Sequence, residues 1–354
     1  MSNTLSLFFY IIMFLLSSFF LYLNPKNKII KKIFNFFGVI IPIFIAGMRY
    51  DVGSDFGVYK EMYYYSDNMM STEFGMILII NIAKLFNNCQ IMFIIFGILT
   101  TLFTYKALKY NNKKFNLAFT FCLYLFLYFT TSFNIMRQML AVSIVFYAYK
   151  FLICRDFKRF VFWIFIASFF HTTALLCIPV YFIFTKSEKN LNKMNYTKIL
   201  SIIFLIIIII NFNNLIKIIT QIGIFSKYDI YSNYVESSNR TVILNIIFLL
   251  IFFILKKEMV NYDEKNNVFI LLYFIGTILD FSGFISPYIK RISLYFSISS
   301  LYLLSSLPMI FKNNKQKYSL AFFILMYAIL RFIISAYMLG QANVIPYNTF
   351  WGKE

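Results

Sequence analysis

Apolar residues recur along this chain in blocks of about 15–20, the length that crosses the hydrocarbon core of a bilayer as a helix. Taken in order, the blocks predict twelve spans, at 4–23, 33–48, 91–108, 115–132, 134–153, 157–171, 173–185, 199–216, 241–255, 268–286, 289–310 and 318–338. Phe74–Phe86 is also apolar, but counting it as a span breaks the alternation of the loops. Its polar residues Asn81, Lys84 and Asn88 fall on one helical face, which suits an interfacial helix lying flat. The expected fold is therefore all-α: a polytopic membrane bundle of about twelve helices with outer-face loops and one interfacial helix.

The polar segments orient that bundle. Six connections are rich in lysine: Pro25–Lys32, Lys109–Lys114, Arg155–Arg159, Lys186–Lys198, Lys256–Lys265 and Lys312–Lys317. Threading twelve spans puts all six on one side, which positive-inside bias assigns to the cytoplasm. Both termini then face outward. The stretch before the first block, M-S-N-T, has no basic residue, so 4–23 reads as a first span rather than a cleaved signal. Two longer outward loops result, roughly 47–73 and 217–240, both mixing Tyr, Asp, Glu, Ser and Asn.

Composition narrows the function classes. The chain is 60% hydrophobic and only 13% charged, against about 45–50% and 25% in soluble domains. One membrane domain covering residues 1–354 is expected. The net charge of +19 lies in short loops between spans, so it reflects orientation rather than nucleic-acid binding. Cys89, Cys122, Cys154 and Cys177 have no metal-ligand spacing, and with a single histidine a zinc site is excluded. Neither a metal nor a cofactor is expected.

The distribution of arginine changes the picture more than net charge does. Arg155 and Arg159 occupy an inner loop, while Arg49, Arg137, Arg240, Arg291 and Arg331 fall on or toward the outer side. Lysine is concentrated inside, and positive-inside bias cannot separate the two residue types. The planar fork of arginine matches phosphate or carboxylate oxygens two at a time, which suggests an outer site for an anionic ligand. Arg137 and Arg331 sit within apolar blocks, where an unpaired charge costs at least about 2.5 kcal/mol. The plainer reading for each is an interhelical ion pair or a snorkelling side chain, with Asp280 as a partner for Arg331. Tyr59, Tyr231 and their neighbours fit an interfacial aromatic belt, or stacking on sugars. His171, the lone histidine, is a core histidine or a group that meets a phosphate.

Six stretches together resemble the EpsG family, Wzy-like polymerases of bacterial exopolysaccharide, capsule and O-antigen. They are G-M-R-Y-D-V-G-S-D-F-G-V-Y (47–59), N-I-M-R-Q-M-L-A (134–141), F-F-H-T-T-A (169–174), the tyrosine-rich segment 228–234, K-R-I-S-L-Y-F (290–296) and V-I-P-Y (344–347). Where the family's first motif often reads G-T-D-Y, this chain has Gly53, Ser54, Asp55 and Phe56. The resemblance implies a GT-C-like bundle in the bacterial cytoplasmic membrane, active face outward. It implies metal-independent glycosyl transfer between two polyprenyl-diphosphate oligosaccharides, with membrane lipid and a chain-length regulator as further partners. Arg137, Asp55 and His171 become the candidate catalytic residues. Arg49, Tyr59, Gln138, Tyr231, Arg240, Arg291 and Tyr347 become candidate substrate-binding residues, and Asp51 is a second candidate base. A flippase for lipid-linked sugars and a membrane O-acyltransferase are the alternative classes.

Overall fold

The computed structural model describes residues 1–23, 25–65, 73–110, 116–183, 240–284 and 287–351. The predicted block at 199–216, the segment 228–234 and Tyr231 lie outside them. Among the described residues the chain is helical, with one isolated bridge between Arg49 and Thr349 in place of any strand.

Among the described residues, six helical segments are long and apolar enough to cross a membrane: Asn3–Tyr22, Lys28–Gly47, Gln90–Tyr110, Met136–Ile153, Ile289–Ile310 and Asn314–Met338. Other expected spans are shorter. The block at 115–132 yields Leu117–Leu127, then tightens into a 3-10 turn at Phe129–Phe133. The block at 157–171 ends at Ser168, and 173–185 becomes a 3-10 turn and a single helical turn. Hydropathy registers composition and is blind to where a helix tightens or turns, so among the described residues several predicted spans are shorter as continuous helices. The helices are named α1 (Asn3–Tyr22), α2 (Lys28–Gly47), α3 (Phe56–Tyr64), α4 (Phe74–Leu85), α5 (Gln90–Tyr110), α6 (Leu117–Leu127), α7 (Met136–Ile153) and α8 (Phe157–Ser168). They continue as α9 (Val180–Ile183), α10 (Arg240–Ile254), α11 (Lys256–Tyr262), α12 (Lys265–Phe281), α13 (Pro287–Ser297), α14 (Ser300–Ser306) and α15 (Asn314–Phe332).

The chain divides into two compact units. The first comprises Met1–Tyr147, Phe169–His171 and Leu304–Glu354. In it α2 packs on α1 and α5, and α6 packs on α1 and α15. Small residues allow the α2–α5 approach: a Cβ on Gly97 would lie 3.0 Å from that of Ala46, and one on Gly47 only 2.9 Å from Ile94. With no hydrophobic force between helices inside lipid, such backbone proximity is what holds them. The second unit comprises Ala148–Ser168 and Thr172–Leu303, with α12 packed on α13 and on α10. Asp280 is buried there and accepts a hydrogen bond from Asn245 at 2.8 Å, while the Tyr273 hydroxyl donates to Asn245 Oδ1 at 3.2 Å. Arg331, in the first unit, donates to the Tyr327 hydroxyl one turn earlier in its own helix, at 3.2 Å.

Helix α4, the stretch expected to lie flat, has 12 residues, about 18 Å of rise and too little to cross a bilayer. It buries Gly75, Met76, Ile79, Ile80 and Ala83 and leaves Phe74, Leu78 and Leu85 exposed. Its start is fixed by a close approach. The Gly75 N–H donates to the Phe169 carbonyl at 2.8 Å, and a Cβ on Gly75 would stand 2.5 Å from the Phe170 ring. Glycine here sets how near Glu73 comes to His171. Gly75→Ala is therefore expected to lower stability by about 1–3 kcal/mol through overpacking and to push α4 away from Phe169–His171. Thermal unfolding of the detergent-solubilised protein checks this, and an unchanged midpoint would show that the contact yields freely.

Candidate functional site

The site is built on a loop that the first unit clamps from three directions. Arg49, two residues past the end of α2, is 1% exposed. Its guanidinium carbon lies 4.7 Å from the Phe133 ring centroid, 5.0 Å from Phe93 and 5.8 Å from Phe56. One nitrogen donates to the Val52 carbonyl, closing the loop, and another meets the Met136 sulfur at 3.0 Å. Burial pushes the Arg49 pKa down to about 10, opposed by nearby Tyr10, Tyr59, Tyr347 and Asp55. That value leaves the group cationic at neutral pH, where aromatic faces offset part of its lost hydration. Gln90 secures the backbone below, its amide donating to the carbonyls of Gly47 at 2.5 Å and Arg49 at 2.9 Å.

Four residues after this arginine, Gly53 adopts a φ of +99°, a conformation in which side chains are strained. A Cβ there would also stand 2.7 Å from Asn134 Oδ1 and 2.8 Å from Arg49 Nη1. The glycine of the first motif is thus required twice over. The segment near the C-terminus pins the loop's outer edge. Gly53 N–H donates to Asn343 O at 2.8 Å, Ser54 N–H to Ala342 O at 3.1 Å, and Tyr50 N–H to Asn348 O at 2.9 Å. Asn134 reaches the same Ala342 carbonyl at 3.2 Å. Tyr347 is fully buried, with its hydroxyl donating to Ile45 O at 3.0 Å and its ring stacked on Phe9.

With the loop fixed, a carboxylate, a guanidinium and an imidazole converge beside it. Glu73 caps the start of α4, but its carboxylate makes no capping bond. It forms a salt bridge with Arg137, in the first turn of α7, and its other oxygen lies 3.5 Å from His171 Nδ1. The Glu73 side chain is 4% exposed, against 23% for Arg137 and 17% for His171. The carboxylate is thus sealed inside while Arg137 and the imidazole of His171 keep an open side. Tyr59, from α3, is buried and hydrogen-bonded to Arg137; burial raises its phenol pKa, and Arg137 draws it back down. Asp55 lies partly exposed at the start of α3 and accepts a hydrogen bond from the Ser54 hydroxyl at 3.1 Å.

Four of the motif pieces therefore meet in one unit: 47–59, 134–138, 169–171 and 344–347. Among the predicted residues, Arg137, His171 and Tyr59 share one carboxylate or its partner, with Asp55 on the adjoining turn. Gln138 is buried on α7. Arg49 and Tyr347, expected to touch substrate, are enclosed by aromatic rings and backbone carbonyls; the Arg49 terminal nitrogens and the Tyr347 hydroxyl spend donors on internal partners, while Arg49 Nε meets none. Arg240 opens α10 and Arg291 is exposed on α13, both in the second unit. Glu73 was not read from the sequence as a site residue. Its position before an apolar helix resembles an ordinary N-terminal cap, and its partner is 64 residues away.

The burial of Arg49 separates its role from that of Arg137. Arg49→Lys, which cannot fill the aromatic cage with a planar group, is expected to cost about 2 kcal/mol of stability. Arg137→Lys should leave the unfolding midpoint nearer wild type. Comparing the two midpoints in the same detergent tests the assignment.

Neither a curated protein nor a solved structure matches this chain significantly. A profile of the EpsG family, however, matches residues 32–349, nearly the whole chain, and spans every piece of the site just described. Membership of that family points to a membrane polysaccharide polymerase, and on this match the chain belongs to the EpsG family.

Proposed function

We propose that the protein joins polyprenyl-diphosphate-linked oligosaccharide units into polysaccharide at the outer face of the cytoplasmic membrane, within a twelve-span, GT-C-like bundle. The observation that carries this reading is the half-open Arg137 held against the sealed carboxylate of Glu73. A cation paired this way is ready to exchange its internal counter-ion for an incoming diphosphate. When Arg137 turns to the ligand, the buried Glu73 still needs a positive neighbour, since an unpaired buried charge is costly. His171, on the other carboxylate oxygen, supplies it in the protonated form.

In the transfer step, the bond between the donor's anomeric carbon and its diphosphate oxygen breaks. The electron pair leaves with the diphosphate, whose charge Arg137 stabilises. The acceptor hydroxyl oxygen bonds to the anomeric carbon and gives its proton to a carboxylate. Asp55, partly exposed on the clamped loop near Tyr59, is the group proposed for that proton. Tyr59 hydrogen-bonds Arg137 and so helps position it, and a lysine cannot reproduce the planar fork of the guanidinium.

Arg137→Lys should cut polymerisation by about 10²–10³-fold. Long polymer should disappear while single lipid-linked units accumulate, as read on gels of extracted glycan and lipid. Wild-type chain lengths at wild-type expression would rule out this role for Arg137.

A further inference from the structure

A second charged feature of the first unit lies apart from the Arg137 site. The ends of α1 and α2, together with α5 and α6, line an open cavity of about 670 Å³. Lys28, Lys31, Lys32 and Lys109 line it, with Leu21 and Leu117 as apolar wall. All four lysines belong to the inner set of loops.

Their placement runs against helix electrostatics. Lys28, Lys31 and Lys32 occupy the first turns of a 20-residue helix, the end whose partial charge is positive and favours anions. The cavity also receives the start of α6, capped by Asn116, whose Oδ1 accepts from Ala118 N–H at 3.0 Å. The described lining contains no acid, and the helices that form the cavity supply none, since residues 1–50 and 74–155 contain neither Asp nor Glu. Lys109 is held over the Tyr105 ring at 5.5 Å, inside the same cavity. Positive-inside bias accounts for lysines on this side of the membrane. It does not account for four of them around one hollow at two positive helix ends, where they repel each other and the dipoles.

We propose that this cavity is a binding site for the phosphate of an anionic phospholipid in the cytoplasmic leaflet. The lysines hold the headgroup, the helix starts, already capped by Asn27 and Asn116, add only their positive field, and Leu21 and Leu117 meet the first part of its acyl chains. A basic pocket between helix ends on the inner side has the chemistry for such a headgroup. The site does not depend on the polymerase reading.

The test uses the full-length protein in zwitterionic micelles, titrated with phosphatidylglycerol, phosphatidylcholine or inorganic phosphate, with lipid adducts counted by native mass spectrometry. Phosphatidylglycerol should be retained selectively and should raise the unfolding midpoint. Lys32→Gln with Lys109→Gln, which leaves Lys26, Lys28 and Lys31 to keep the orientation, should weaken retention about tenfold. Lys32→Arg with Lys109→Arg should retain it, and so should a control pair at other inner loops, Lys257→Gln with Lys315→Gln. Equal loss in the control pair would mean diffuse surface charge and overturn the site. Equal stabilisation by inorganic phosphate would overturn the lipid assignment. If the glutamine pair does not fold, the wild-type titrations decide: indifference between phosphatidylglycerol and phosphatidylcholine refutes the proposal.

Discussion

A carboxylate sealed from water must be neutralised, and in this protein that requirement falls on Glu73. Its two oxygens are divided between Arg137 and His171, residues from separate stretches of chain that the Glu73 charge holds together. Removing one partner from such a buried arrangement typically costs several kcal/mol, because the remaining charge is stranded. The same constraint makes the site responsive. An anion that takes Arg137 away must leave Glu73 covered by something else, and His171 is already within reach.

Precision in that triad comes from parts that carry no ligand chemistry. Arg49 fills a cage of Phe56, Phe93 and Phe133 and ties down the loop that leads into α3, where Tyr59 meets Arg137. Met136, which touches the Arg49 guanidinium, immediately precedes Arg137. Gly75 does similar work on the other side, letting α4 sit directly on the Phe169 carbonyl. Two arginines separated by 88 positions in sequence thus divide the labour, one buried to shape the loop and one half-open beside it.

Much of this could be read beforehand, and what could not has physical causes. The helical, membrane-embedded class follows from hydropathy blocks alone. Arg137 and His171 stood out because a charge inside an apolar block and a solitary histidine both demand explanation. Arg49 was legible as unusual but not as buried, since nothing in the chain reveals that Phe93 and Phe133, from distant stretches, join the nearby Phe56 around it. Glu73 was invisible for the opposite reason: an acid at the start of a helix is ordinary, and only the tertiary structure shows the carboxylate facing away from the helix. Helix length escaped as well, because hydropathy averages over the few polar residues at Thr130–Ser132 and His171–Thr173, beside which the helices end early.

The central claim, that Arg137 surrenders Glu73 to grip a diphosphate, is tested most directly by the affinity of the purified protein for a polyprenyl diphosphate, measured for wild type and for Glu73→Gln. Freeing Arg137 from its internal competitor should tighten binding by about tenfold, even though the buried site is weakened structurally. Unchanged or weaker binding in a folded Glu73→Gln protein would contradict the exchange.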